Sequence, residues 1–140
     1  MTHLDQLPHP ESLPYPNRYT AAFFSSSEEA ERSISDLEMQ GYTDEDFNVF
    51  EGNSGIAAID ADGNHHNMLE NYMRKFIRFS DSAEWKFLHE ADIEIRNGHI
   101  LLCVPTSTEE QKKSVVDIFH QNGAYDIRYF TPLYIEEVES

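Results

Sequence analysis

The sequence predicts an α+β fold, a ferredoxin-like βαβ-βαβ sandwich with a four-stranded antiparallel sheet and two helices on one face. The prediction rests on the order strand–helix–strand, which occurs twice, at residues 19–50 and 100–130. Right-handed crossovers in both units would place their helices on the same face of the sheet. The stretch between the units is too long for a hairpin, and it predicts a helical insertion at about 64–97, between the second and third strands.

The first unit begins with residues 19–24, a short, apolar and aromatic run typical of a buried strand. Ser25 and Ser26 each precede a glutamate by three positions, which is the capping-box pattern of a helix start. Apolar residues then recur at helical spacing up to Gly41, a residue that favours the end of a helix. Residues 47–50 are predicted to form the second strand.

The second unit repeats this pattern. Residues 100–104 form an apolar run that Pro105 ends, a second cap follows, Gly123 ends the helix, and residues 125–130 alternate as a final strand. Residues 27–40 and 108–121 align with five identical positions. This match indicates either an internal repeat or only the pattern that capped amphipathic helices have in common.

The insertion is predicted to contain two helices. In the first, a wide apolar stripe that includes Tyr72 and Phe76 lies opposite a polar face with Arg74, Lys75 and Arg78. A second helix would be capped at Asp81 and end at Gly98, with apolar residues at helical spacing: Phe87, Leu88, Ala91 and Ile95. We expect this pair of helices to pack on the sandwich or on a partner subunit.

The rest of the chain sets the domain boundaries. Residues 1–17 hold four of the six prolines and little apolar material, so they are predicted to be a disordered leader. Residues 18–140 then form a single α+β domain. No apolar run approaches the length of a membrane helix, and the start lacks the pattern of a signal peptide. The sequence therefore predicts a cytoplasmic protein.

Charge excludes two classes of partner. The 140 residues include 26 acidic and 10 basic side chains, for a formal net charge of −16. Such a chain is a poor match for nucleic acid or anionic lipid, both of which need Lys and Arg. Residues 71–80 are the exception, with three cations and no acid. The single Cys103 excludes an internal disulfide and any site made of several cysteines.

Motifs for catalysis are incomplete. His89 and Glu90 begin the zinc-protease pattern H-E-x-x-H, but Ile93 stands at the second ligand position. The acidic run from Asp60 lacks the glycine and glutamate spacing of a calcium loop, and Cys103 lies within an apolar strand. The sequence thus predicts no enzyme, no catalytic residue, no cofactor and no confident metal site. A ligand or metal site assembled across the fold remains open, with His65, His66 and His99 as candidates.

The cationic helix face has two interpretations. It is either a solvated surface or a surface that binds the acidic surface of a second copy. We favour the second, because Tyr72 and Phe76 beside Arg74, Lys75 and Arg78 supply the aromatic contacts of an interface. The sequence accordingly predicts self-association, as a dimer or a higher oligomer, through these five residues.

Several segments resemble those of one bacterial family. They are the strand at 19–24, the helix start at 27–32, Gly41 and Tyr42 before the second strand, Asp60, Gly63 and His66 ahead of a basic amphipathic helix, and residues 96–99 leading into an apolar strand. Over about residues 19–130 the chain resembles the general stress protein 17M-like (heat-induced stress protein) domain family. The polar, aromatic segment 63–79 departs from the Gly/Ala-rich helical stretch of many members. The resemblance implies a stress-associated cytoplasmic protein without an established enzymatic activity, and it supplies no catalytic residues.

Two functions follow as expectations. The favoured one is a non-enzymatic protein–protein interaction module that forms homo-oligomers. The alternative is a small-ligand- or metal-binding module that uses histidines and the open face of the sheet. In that alternative, Tyr19 or Tyr129 would join His99 in the site.

Overall fold

The computed structural model describes residues 3–11, 13, 18–60, 78–131 and 134–139, with residues 78–85 and 139 described in backbone only. The strands are β1 (Tyr19–Phe24), β2 (Asn48–Phe50), β3 (Ile100–Pro105), β4 (Tyr125–Phe130) and β5 (Ile135–Glu139). The helices are α1 (Ser27–Glu38), α2 (52–60), α3 (Arg78–Arg96) and α4 (Glu109–Gln121), and short 3-10 turns occur at Leu4–Gln6 and Asp44–Asp46.

Within the described residues, five strands form one antiparallel sheet in the order β2-β3-β1-β4-β5. The α+β class and the antiparallel sheet are therefore confirmed, but the prediction of four strands omitted β5. This strand pairs with β4, with Ile135 opposite Phe130 and Glu137 opposite Arg128. Its sequence has three glutamates in five residues, so it lacks the apolar pattern by which the other strands were recognised.

Helices α1 and α4 lie on one face of the sheet, as the sequence predicts. Their N-caps form as expected: the Ser26 hydroxyl accepts from the Glu29 backbone amide at 3.2 Å, and the Thr108 hydroxyl accepts from that of Gln111 at 3.1 Å. The buried residues between these helices and the sheet form the first core: Leu4, Leu7, Ala22, Phe24, Ala30, Ile34, Leu37, Phe47, Val49, Ile100, Leu102, Val104, Val115, Phe119 and Ile127.

The opposite face of the sheet is covered, not open. Residues of α2 and α3 pack on it and form the second core: Leu13, Tyr19, Ala21, Phe23, Phe50, Ala58, Ile59, Phe87, Leu88, Ala91, Ile95, Leu101, Cys103 and Phe130. Because β1 has a helical layer on each face, all six of its residues are buried. The expectation of an open sheet face for ligands is therefore wrong.

The helical insertion differs from its predicted bounds. A helix already covers 52–60, where none was predicted, and α3 is continuous from Arg78 through Asp81, the predicted start of a second helix. The four apolar residues predicted at helical spacing are all buried against the sheet, which confirms their role as a packing face. Residues 61–77 lie outside the described residues. No described helix combines the length and apolar composition needed to cross a bilayer.

The described part of the N-terminal segment is not a detached leader. Leu4 and Leu7 are buried in the first core, and Leu13 is buried in the second. The backbone amide of Leu4 donates to the Glu31 carboxylate at 3.0 Å. Three leucines among the prolines were enough to attach the segment, because each buried leucine side chain contributes about 1.5–3 kcal/mol.

Candidate functional site

A cluster of polar side chains lies where the C-terminal end of α3 meets the starts of β3 and β4. After α3 ends at Arg96, Gly98 takes a φ of +88°, a left-handed conformation that glycine adopts without strain. The His99 backbone amide then donates to the Glu94 carbonyl oxygen at 3.0 Å. This turn directs the His99 side chain back onto the last part of α3, five residues earlier.

Three side chains, Glu94, His99 and Tyr125, meet at one point. His99 Nδ1 lies 2.5 Å from Glu94 Oε2, and the Tyr125 hydroxyl donates to the same Oε2 at 2.9 Å. The Tyr125 hydroxyl oxygen also lies 2.6 Å from His99 Nδ1. The side chains are partly buried, with 31% of His99 and 22% of Glu94 exposed. We call this group the Glu–His–Tyr cluster.

One set of proton positions satisfies these contacts. The Tyr125 hydroxyl donates to Glu94, so a proton on His99 Nδ1 gives the carboxylate a second donor. That tautomer leaves His99 Nε2 as an acceptor of a hydrogen bond or as a metal ligand. The cluster can thus hold an imidazole in a fixed orientation, in the way that carboxylates orient histidines in many functional sites.

Electrostatics keep Tyr125 in its neutral form. Burial raises the pKa of the Tyr125 phenol above its ordinary value, and the hydrogen bond to Glu94 and the negative charge of that carboxylate raise it further. The phenol is therefore a permanent donor at neutral pH. Its ring also lies edge-on to the imidazole of His99, with ring centroids 6.0 Å apart.

Asp126, the next residue, has an unusual backbone. Among the described residues, Asp126 is the only non-glycine residue with a positive φ, which is +52°. Burial raises the pKa of its carboxyl, Arg128 opposes this effect, and Glu90 and Glu94 add to it. A strained backbone next to a polar cluster is a feature that functional sites often share.

No match accompanies this arrangement. The chain matches no protein-family model, and the searches of curated proteins and of solved structures found no significant match.

The described residues include no group of three or more His, Cys, Asp or Glu side chains placed to hold a metal ion. His99 reaches one carboxylate, that of Glu94, and uses Nδ1 to do so. Two other described histidines, His3 and His9, lie beside Glu31 and Glu51 respectively, away from this cluster. His65 and His66 lie outside the described residues.

Of the five residues of the predicted interface, only Arg78 belongs to the described part of the chain. Tyr72, Arg74, Lys75 and Phe76 lie outside the described residues, and Arg78 is described in backbone only, as the first described residue of α3.

The partners of His99 are not the tyrosines that the sequence suggested. Tyr19 stacks on Phe130 in the second core, with ring centroids 4.4 Å apart. Tyr129 lies on the other face of the sheet, under Lys112 Nζ at 4.6 Å. The sequence carried no signal for Glu94 and Tyr125, because they are separated by 31 residues and meet only when β4 pairs beside β1.

A cleft lies at the other end of the sheet, away from the Glu–His–Tyr cluster. It is an open polar cleft of about 290 Å³, lined by Gln40, Gly41, Tyr42, Asp46, Pro105, Ser107 and Gln111. The Tyr42 hydroxyl donates to the Pro105 carbonyl at 3.0 Å, and Gln111 accepts from the Ser107 amide at 2.8 Å. These bonds use the cleft's groups within the chain, so we do not assign it a ligand.

Proposed function

We propose that the protein is a non-enzymatic, stress-associated interaction module of the cytoplasm that forms homo-oligomers. In this proposal β1–β4 with α1 and α4 constitute a ferredoxin-like sandwich, and the stress association rests on the resemblance to the general stress protein 17M-like family. Self-association would use the predicted interface of Tyr72, Arg74, Lys75, Phe76 and Arg78.

The supporting observation is how the described cations are used. Five of them lie within 4.0 Å of a carboxylate of the same chain: the pairs are Arg32–Glu28, Lys86–Glu137, Arg96–Asp92, Lys112–Glu136 and Arg128–Glu90. Outside residues 61–78 the chain has 24 acidic and seven basic side chains. Most carboxylates of this surface thus have no cation available from it.

The basic stretch 71–80 supplies the opposite charge. It carries three of the ten cations and no acid. Two copies, each with a charge of −16, repel one another at long range, so stable association requires a local cationic surface on one copy to contact carboxylates of the other. Such contacts are screened by salt, with a Debye length of about 10 Å at 0.1 M.

The test is the solution mass of the full chain, measured by light scattering at low and high salt. We expect a mass above that of a monomer at low salt, and a monomer mass for the triple variant R74E/K75E/R78E. The matched control is R32E/R96E/K113E, which changes the charge equally at three exposed positions on α1, α3 and α4. The control should keep the oligomer, because exposed ion pairs contribute at most about 1 kcal/mol each to stability. A monomeric wild type, or equal effects of both variants, would reject the proposal.

The Glu–His–Tyr cluster favours a second candidate function, a module that binds a small ligand or metal through His99 Nε2. This candidate retains His99, which the sequence suggested, but it does not use the face of the sheet, because α2 and α3 cover that face. The test is calorimetric titration with zinc chloride, comparing the wild type with His99→Ala and with His120→Ala, an exposed histidine on α4. Micromolar binding lost only in His99→Ala supports this function, and absence of micromolar binding rejects a metal site.

A further inference from the structure

The two edges of the sheet differ in how the chain covers them. At the β2 edge, the backbone amide of Val49 donates to the Pro8 carbonyl at 3.0 Å, so the N-terminal segment occupies that side. At the other edge, β5 pairs with β4 on one side, and no strand of the described chain pairs on its outer side. Within the described residues this edge is unpaired, and an unpaired strand edge is a template for a further strand.

The direction of the free backbone groups can be derived from the turn before β5. The Tyr134 carbonyl accepts from the Thr131 amide at 2.9 Å, and the Tyr134 amide donates to the Thr131 hydroxyl at 3.0 Å. Both backbone groups of Tyr134 therefore point toward the β4 side. Because backbone groups alternate in direction along an antiparallel strand, those of Ile135 and Glu137 point outward.

The charges around this edge select the kind of strand. The side chains of Glu136 and Glu137 are 44% and 64% exposed, one paired with Lys112 on the α4 side and the other with Lys86 on the α3 side. A second copy of β5 would bring its own glutamates against these, and like charges placed across two strands are destabilising. Lysine or arginine on an incoming strand would instead approach carboxylates on both faces of the edge.

We infer that the outer edge of β5 binds an extended, basic segment of a partner protein, which adds to the sheet as a sixth strand. Main-chain hydrogen bonds at Ile135 and Glu137 supply the register. Lys or Arg side chains at neighbouring positions of the segment, which point to opposite faces of the sheet, contact Glu136 on one face and Glu137 on the other. Tyr134, which directly precedes β5 and is 52% exposed, adds an aromatic contact. The net charge of −16 accelerates the encounter with a basic segment.

The experiment uses the full chain and a synthetic seven-residue peptide, Val-Lys-Lys-Val-Lys-Lys-Val, whose neighbouring lysines point to opposite faces of an added strand. Binding is followed by fluorescence anisotropy and by the amide signals in ¹⁵N NMR spectra. We expect the largest shifts at the amides of residues 134–139. A peptide of the same charge with N-methyl groups on one edge should bind about tenfold or more weakly, because it cannot form the strand hydrogen bonds.

Two variants of the chain separate strand addition from general attraction. Glu136→Lys should weaken binding several-fold, whereas Glu28→Lys, at an exposed glutamate of α1 that also has one cation partner, should leave it nearly unchanged. Equal binding of the N-methylated peptide, equal effects of the two variants, or shifts centred away from β5 would overturn the inference.

This inference does not depend on self-association. The R74E/K75E/R78E variant should bind the peptide with at least the affinity of the wild type. A protein that is monomeric but binds the peptide at β5 would therefore reject the proposed homo-oligomer and support the edge site.

Discussion

The guanidinium of Arg128 on β4 donates to the carboxylate of Glu90 on α3, and this ion pair joins the second helical layer to the sheet. Only 6% of the Arg128 side chain is exposed. Its guanidinium carbon lies 5.3 Å from the centre of the Phe87 ring. Its Nη2 atom also lies 4.0 Å from Oε1 of Glu137 on β5. The Arg128 guanidinium therefore links its own strand, β4, to α3 and to β5.

Replacing Glu90 tests this arrangement. Glu90→Gln should lower the free energy of unfolding by about 2 kcal/mol, because it leaves a buried guanidinium with the more distant Glu137 as its compensating charge. Urea unfolding measures the change. The control is Asp92→Asn, which removes the exposed i,i+4 pair with Arg96 on the same helix and should change stability by about 0.5 kcal/mol or less. Equal losses would show that Arg128 does not need Glu90.

Tyr125→Phe removes one donor from Glu94 and should cost about 1 kcal/mol at neutral pH. The pKa of Tyr125 is higher in the folded protein than in the unfolded chain, where it is near 10.0. Its contribution is complete below about pH 10 and is lost as pH rises through the folded-state value. The wild type should thus lose stability more steeply than the variant above pH 10.

Urea unfolding between pH 7 and pH 11 measures this difference. The control variant is Tyr134→Phe, at an exposed tyrosine, and it should follow the wild type throughout. If Tyr125→Phe has the same alkaline slope as the wild type, the phenol is not held in its neutral form by the cluster.

Asp126→Asn should stabilise the protein at neutral pH, by about 0.5 kcal/mol. The folded-state pKa of Asp126 is raised, so folding disfavours its ionised form, and that penalty is absent below the unfolded value near 3.8 and grows as pH rises. Asparagine also tolerates the φ of +52° at least as well as aspartate. Thermal unfolding at pH 7 and at about pH 3 checks this. A gain that persists undiminished at the acidic pH would assign the effect to the backbone alone.

Leu4→Ala should lower the free energy of unfolding by about 2–3 kcal/mol, because the side chain is 3% exposed and lies in the first core. The neighbouring Asp5 is exposed, and Asp5→Ala provides a control that should change stability by no more than about 0.5 kcal/mol. Chemical denaturation distinguishes the two variants. If Leu4→Ala does not lower the free energy of unfolding, the N-terminal segment does not contribute to the first core.

The accuracy of the sequence predictions varied with the range of the interactions involved. The cap predicted at Ser25 or Ser26 forms at Ser26, and the cap predicted after Pro105 forms at Thr108. The end of α3 before Gly98 and the strand at 100–104 were also correct, because each depends on residues within one or two turns of chain. The start of α3 and strand β5 were missed. Asp81 has a cap-like pattern but lies within a longer helix, and β5 becomes a strand only through its pairing with β4.

Sequence by itself determined the α+β class, the antiparallel order of two similar units, and a negative surface with one basic stretch, because these follow from periodicity, local caps and composition. Tertiary structure alone decided that α2 and α3 cover the second face, that Arg128 pairs with Glu90, and that Glu94, His99 and Tyr125 meet. The physical reason is that such contacts join residues distant in sequence. The residue type of a glutamate or a histidine does not indicate whether its side chain faces water or a buried partner.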